Sequence, residues 1–274
     1  MAYRIFSLKN TGRLIAKPNP TGQASCERER GFLLMDIQDK VVIITGASEG
    51  IGLATARLFA QEGAKVALAA RSADTLHTIV NELHEQHREA VAVPTDMRNK
   101  DAIEAMVDSV FQQYGRIDIL INNAGQAVRG NVADVDIDQF RQVFELNVLG
   151  PVEAMQALIP KMRQNGGGLI INVSSDVTHM HLPVISAYAA TKAALNMISD
   201  TAREELASEN IRITTMFPRA TATNFGKNSL AIPKTNQQRP RTPQGYPEPD
   251  SAEATAQKIL EAARNEPHDQ YMDR

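Results

Sequence analysis

Cysteine is all but absent from this chain. Cys26 is the only one in 274 residues, and it falls outside the stretch that reads as folded. That excludes a disulfide framework, a cysteine-based metal site and a cysteine nucleophile in the core, and it fits a reducing cytoplasm. Long apolar runs are also lacking: none approaches the roughly 18–20 residues of a membrane span. Charge of one sign is not in excess. A formal net charge of −3 gives no pull towards nucleic acid or an anionic membrane. The basic residues from Lys9 to Arg30 are sparse and lack interleaved aromatics, so nucleic-acid binding has no support. What is present is ordinary for a globular enzyme. A hydrophobic content of 43% is enough for the core of one large α/β domain.

Residues 1–37 read as an N-terminal extension and 38–274 as the folded domain. In the first part Arg4, Lys9, Arg13, Lys17, Arg28 and Arg30 outnumber Glu27 and Glu29, and Pro18, Pro20 and Gly22 break any periodicity. Three readings stand there: a disordered tail, an over-extended start with Met35 as the initiator, or an organelle-targeting peptide.

From Lys40 onward, strands and helices alternate. Val41–Ile44 is a short continuous apolar run, as expected of a parallel strand buried on both faces. Further strands are expected at 65–70, 90–95, 117–122, 169–173 and 211–217, with a seventh stub within 270–274. Helices are expected from Gly52 to Glu62, at 73–88, at 99–114 with Asn99 or Asp101 as cap, at 187–208 and at 251–264. A long helical region over 136–165 is expected to break at Pro151 and Pro160. This order predicts an α/β fold built on one doubly wound parallel sheet. Residues 226–250 carry Pro233, Pro240, Pro243, Pro247 and Pro249 among polar residues and read as a flap.

Two stretches carry chemistry. Thr45-Gly46-Ala47-Ser48-Glu49-Gly50-Ile51-Gly52 follows the first strand and opens a helix. Its glycines let the backbone approach a pyrophosphate, and the helix start offers free N–H groups and a positive dipole end. Glu49 counts against this, because it brings a negative charge close to the phosphates. The second strand ends in Ala70-Arg71-Ser72, with no acid to bond a ribose hydroxyl. An arginine followed by a hydroxyl suits a 2′-phosphate and so NADP over NAD; the bland alternative is a solvated strand-end charge. In Tyr188-Ala189-Ala190-Thr191-Lys192 a phenol and an ammonium share one helix face. A cation held there is expected to lower the tyrosine pKa from about 10.

Taken in order, these stretches resemble the short-chain dehydrogenase/reductase family over residues 38–226. The resemblance rests on Thr45-Gly46-x-x-x-Gly50-Ile51-Gly52, Asp96, Asn122-Asn123-Ala124-Gly125, Asn147, Ser175, Tyr188-x-x-x-Lys192, Pro218 and Thr223. It implies a single-domain Rossmann fold and an oxidoreductase that moves a hydride between NADP and a small-molecule carbonyl or alcohol. It implies Tyr188 as general acid/base, and Lys192 as the group that tunes it and bonds the nicotinamide ribose. Ser175 would hold the substrate oxygen, with Ser174 as its rival, and Asn147 would hold a water relaying protons to Lys192. Gly46, Gly50 and Gly52 would pass the pyrophosphate, with Ser48 and Ile51 of the same turn also on the cofactor. Arg71 and Ser72 would take the 2′-phosphate and Asp96 the adenine. Asn123 and Gly125 would shape the wall beside the adenine ribose, and Thr223 would bond the carboxamide. No metal is implied, so His179 and His181 read as pocket lining or plain loop. A homodimer or homotetramer is a further implication. The alternative is an idle NADP-binding sensor or scaffold, although such proteins usually lose one of these catalytic side chains.

Arg219 departs from the family, which often has glycine after the strand-six proline. It reads as a contact to an anionic substrate, a contact to the pyrophosphate, or a solvated charge. Arg129 reads as a surface charge with a lesser claim on substrate. Ala189, Ala193, Ala194, Met197 and Ile198 read as core.

Overall fold

The strands that read as continuous apolar runs lie side by side in one sheet. The structure is a computed structural model and describes residues 35–230 and 248–273. Residues 1–34 of the expected extension and 231–247 of the expected flap lie outside the described residues. The strands are β1 (Val41–Thr45), β2 (Lys65–Ala70), β3 (Ala90–Pro94), β4 (Ile119–Asn122), β5 (Gly168–Val173), β6 (Ile211–Phe217) and β7 (Asp269–Tyr271). All pair in parallel, in the order β3-β2-β1-β4-β5-β6-β7. The direction of winding reverses between β1 and β4, where a doubly wound sheet opens a crevice at its carboxyl edge.

Alternate strand residues feed two cores. Val42, Ile44, Val66 and Leu68 pack against α1 (Gly50–Gln61), α2 (Ala73–Glu85) and α7 (Ala252–Asn265). Val41, Ile43, Ala67 and Leu120 pack on the opposite face against α3 (Lys100–Tyr114) and α5 (Gly150–Gln164). Asn99, not Asp101, caps α3, accepting from the Ala102 N–H at 3.0 Å. Among the described residues no helix is long and apolar enough to cross a membrane.

Two expectations fail here. The 136–165 region does not break at its prolines. α4 (Ile137–Phe144) runs on through a π-helical turn, Glu145–Leu149, into α5 with helical backbone angles throughout. Pro151 stands in the first turn of α5, where proline is tolerated. Pro160 brings no N–H to the Gln156 carbonyl, and both residues are exposed, so that carbonyl is not sealed from solvent. The second failure concerns α6 (Ser186–Leu206). Its buried face is Tyr188, Thr191, Lys192, Leu195 and Ser199. Met197, expected in the core, is 68% exposed. The polar face turns inward because it supplies the carboxyl edge of the sheet with functional groups.

Candidate active site

The turn after β1 is set by space as much as by backbone freedom. Gly46 and Gly50 have φ of +69° and +56°, the region that favours glycine. Asn123, just past β4, pins the turn: its Nδ2 donates to the Thr45 carbonyl at 2.8 Å. Its backbone N–H and that of Ala124 both donate to Thr45 Oγ1 at 3.0 Å. The first turn of α1 has no side-chain cap and no acid, so its N–H groups stay available to an anion. Glu49, the N-cap residue of α1, lines the same cavity. Its two carboxylate oxygens accept from Asn224 Nδ2 at 3.2 Å and Asn228 Nδ2 at 2.7 Å. Thr223 sits over the turn: a Cβ on Gly50 would lie 3.2 Å from its methyl group.

Next to this turn, β2 ends in Arg71 and Ser72, both exposed. No carboxylate among the described residues pairs with Arg71. Asp96 is engaged by Arg98, whose Nε and terminal nitrogen reach its carboxylate at 3.1 and 2.7 Å. Arg98 holds the Asp96 pKa below the usual carboxylate range, with Arg71 adding to the effect.

At the other end stand the four expected catalytic side chains. Tyr188 and Lys192 rise from the first two turns of α6, Ser175 follows β5, and Asn147 lies in the π-helical turn. All but Asn147 line one cavity of about 1110 Å³ that also reaches Arg71, Ser72, Asp96 and the Gly46–Ile51 turn. Asn147 is fully buried behind it. Its Oδ1 accepts from the Gln126 N–H at 3.0 Å, while Nδ2 donates to the Gln126 carbonyl at 2.9 Å and to Thr191 Oγ1 at 3.0 Å. Both amide protons and one lone pair of Oδ1 are thus engaged. Pro151 carries no N–H and so offers the Asn147 carbonyl no i+4 donor. A Cβ on Gly125 would lie 3.3 Å from Asn147 Oδ1 and 3.5 Å from Lys192 Nζ, which leaves little room for a side chain there.

Protonation differs from the sequence expectation. Lys192 Nζ donates to the Val173 carbonyl at 2.8 Å. It does not set the Tyr188 pKa here. Burial pushes the phenol above its ordinary value, the Ser175 hydroxyl opposes that shift, and the Asp176 carboxylate adds to it. Burial also pushes Lys192 down, to about 8 from 10.5. Low polarisability penalises the charged form of each group, and one ammonium four residues away does not overcome it.

This has a consequence for stability. Between pH 8 and 10.5 the unfolded chain, with its lysine at the ordinary value, binds more protons than the folded protein. Stability from Lys192 therefore rises with pH across that window. Tyr188 acts in the opposite sense: above about pH 10 the unfolded phenol loses a proton that the folded one keeps, and stability falls. Urea unfolding should show Lys192 contributing a gain of about 2 kcal/mol from pH 7 to 10. Lys192→Met should lack this gain, and an identical pH profile in that variant would contradict a buried, destabilised ammonium.

Three other candidates change place. Arg219 lines the cavity and forms a fork with Asp250, at 3.0 and 2.7 Å. The bond ties the chain after β6 to the residue before α7, where Ala222 N–H also donates to the Asp250 carbonyl. His179 packs on Phe217 and Tyr271, with centroids at 5.3 and 6.2 Å, and neither it nor His181 lines the cavity. Arg129 is a cavity residue and not a surface charge. Ser174, the rival of Ser175, has a buried Oγ with no hydrogen-bond partner. Sequence reasoning missed Gln126, Thr191 and Phe225. The first two hold Asn147, and the Phe225 ring lies 5.7 Å from that of Tyr188. Gln126 acts through its backbone, so its side-chain identity carries no signal.

Comparison with known proteins agrees with this geometry. The family model for short chain dehydrogenase matches residues 40–232. An uncharacterized oxidoreductase from Staphylococcus aureus strain MW2 is 34% identical over 182 residues, or 66% of this chain and 78% of that one. The structure of L-sorbose reductase from Gluconobacter frateurii, complexed with NADPH and L-sorbose, superposes with a TM-score of 0.75 at 29% identity, covering 87% of this chain and 97% of that one. A 3-ketoacyl-(acyl-carrier-protein) reductase from Brucella melitensis, complexed with NADH, gives a TM-score of 0.74 at 27% identity, with 84% and 93% covered. The match takes in both the phosphate turn and the stretch from Ser175 to Lys192. This chain belongs to the short-chain dehydrogenase/reductase family and is an NAD(P)-dependent oxidoreductase.

Proposed function

We propose that the protein is an NADP-preferring enzyme that interconverts a carbonyl and an alcohol on a small-molecule substrate. The observation that carries this reading is one cavity with an unpaired Arg71 at one end and Ser175, Tyr188 and Lys192 at the other. The residues fit the cofactor. Gly46, Gly50 and Gly52 leave no side chain over the turn, and the backbone of Ser48 and Ile51 and the start of α1 offer N–H groups to a pyrophosphate. Arg71 and Ser72 suit a 2′-phosphate. Asp96, which anchors Arg98, takes the adenine, Asn123 and Gly125 shape the wall beside the adenine ribose, and Thr223 bonds the carboxamide. The bound nicotinamide supplies or accepts the hydride at the substrate carbon.

The chain's own groups handle the oxygen and its proton. Tyr188, kept protonated by burial, donates to a carbonyl oxygen as charge develops there. Ser175 donates a hydrogen bond to the same oxygen, so two hydroxyls polarise it before the reaction. Lys192 retains a positive charge near neutral pH and bonds the nicotinamide ribose. The backbone carbonyl of Asn147 holds a water through which that proton is restored. The protein acts in the cytoplasm as a homodimer or homotetramer, and the outward face of α6 around Met197 suits such contact.

Titration with NADPH and with NADH, followed by nicotinamide fluorescence, tests the cofactor assignment. NADPH should bind about 10- to 100-fold more tightly, as expected when a guanidinium bonds a phosphate. Arg71→Ala should remove most of that difference. Equal binding of both cofactors by the native protein would make Arg71 a surface charge and NAD the cofactor.

A further inference from the structure

The proposed chemistry leaves one cavity cation without a task. Arg129 lies seven residues beyond the last residue of β4, and its backbone is fixed on both sides. Its N–H donates to the Leu230 carbonyl at 3.3 Å, and the Gly130 N–H donates to the Val184 carbonyl at 2.9 Å. The guanidinium stands beside Gly226, where a Cβ would come within 3.7 Å of a terminal nitrogen. Gly226 adjoins Phe225, whose ring is the neighbour of Tyr188. The cation therefore lies on the substrate side, away from Arg71.

Its bonding is incomplete. Arg129 Nε is buried and has no hydrogen-bond partner. No carboxylate among the described residues pairs with it, whereas Arg98 is neutralised by Asp96 and Arg219 by Asp250. The chain from Ala231 to Pro247 contains no Asp or Glu, so it brings no carboxylate either. A partly buried guanidinium with an unmet donor destabilises a fold that gains nothing from it. Its planar fork matches a carboxylate. Ala127, Leu182, Val184 and Phe225 of the cavity lining are apolar, and the lining carboxylates Glu49, Asp96 and Asp176 form no salt bridge with Arg129, so a carboxylate on a ligand can take the guanidinium.

We propose that Arg129 binds a carboxylate on the substrate, and that the enzyme acts on carbonyl compounds carrying one, reducing oxo acids to hydroxy acids. This rests on the reading of Ser175, Tyr188 and Lys192 given above. The reaction balances as before. The carbonyl π bond breaks, the carbon gains the hydride of NADPH, the oxygen gains the Tyr188 proton, and the carboxylate is a spectator.

The test uses matched pairs with NADPH: 4-oxopentanoate, 6-oxoheptanoate and 4-acetylbenzoate, each against its methyl ester. The native enzyme should favour the acid in kcat/KM by about 10- to 100-fold for at least one pair, the value of a charge-assisted hydrogen bond in a sheltered site. Arg129→Gln should bring that ratio close to one, mainly through KM of the acid, and Arg129→Lys should keep part of it. An unchanged ratio in Arg129→Gln, or a native preference for the esters, overturns the assignment. Because the Nε has no partner to lose, Arg129→Gln should hold its Tm within about 3 °C of native. A larger fall, with acid and ester turnover lost together, makes the residue structural and also overturns the proposal. Should no compound turn over, calorimetry of 4-acetylbenzoate against the protein with NADP bound decides. Native binding that Arg129→Gln weakens keeps the carboxylate site and sinks the catalytic reading, while absent or unchanged binding sinks the site.

Discussion

Replacing Tyr188 by Phe should lower kcat by about 10²- to 10⁴-fold, the usual contribution of a positioned general acid. The change removes one oxygen and leaves the ring against Phe225. The phenol is buried and its ionised form is disfavoured, so the phenylalanine costs the fold little and stability should hold or rise slightly. NADPH affinity should stay within about threefold, since the phosphate turn and Arg71 lie at the far end of the cavity. Ser175→Ala should cost less, because the Tyr188 hydroxyl still polarises the oxygen when Ser175 is gone. The informative quantity is single-turnover hydride transfer at saturating NADPH, which separates chemistry from product release. If Tyr188→Phe turns over a responsive carbonyl within a few fold of native, the acid is another group and the role given to this helix face is wrong. If it loses NADPH binding as well, the loss reports a damaged site and not a missing proton.

What could be read from the sequence, and what could not, divides along a physical line. The strands were legible because a parallel sheet buried on both faces demands runs such as Val41–Ile44, and Gly46 to Gly52 mark the turn in sequence. The Tyr188 and Lys192 pair was legible because helical spacing alone places two residues on one face. Properties set by distant partners were not. Arg219 looked like a candidate for an anion until Asp250, 31 residues away, closed on it. In the π-helical turn at Glu145–Leu149, Asn147 bonds the backbone of Gln126, a contact no local pattern encodes. The 117–122 strand starts at Ile119, although Asp118 already bonds both neighbouring strands: its N–H donates to the Val41 carbonyl and its carbonyl accepts from the Leu169 N–H, while its carboxylate accepts from the Val41 N–H and from Arg116. The Tyr188 pKa was misjudged because spacing reports a neighbour but not the loss of water around both groups. Arg129 was misjudged for the converse reason: the sequence shows the charge and not the apolar walls around it.

Gly52→Ala should be the most damaging single-methyl change in the phosphate turn. A Cβ there would lie 2.2 Å from the Gly46 carbonyl oxygen and 2.5 Å from Asn123 Nδ2. Neither atom can retreat easily. The first is backbone in a turn with positive φ, and the second holds the Thr45 carbonyl at 2.8 Å. Relief requires α1 to move off the turn or Asn123 to release it, and overpacking of this kind costs about 3 kcal/mol. For a domain of this size that is a fall in Tm of about 6–12 °C. Gly115→Ala is the control. It also adds one methyl, at φ +72° in the C-cap of α3, but nothing lies within 4 Å. It should cost only backbone strain, about 1 kcal/mol. The two variants separate space from conformation, and cofactor binding separates the turn from the rest of the fold. Gly115→Ala should bind NADPH as the native protein does. If the turn meets the pyrophosphate as proposed, Gly52→Ala should bind it at least about tenfold more weakly even well below its own Tm, because its backbone is displaced. Native affinity in a destabilised Gly52→Ala would mean that the turn packs α1 against the sheet and the phosphates lie elsewhere.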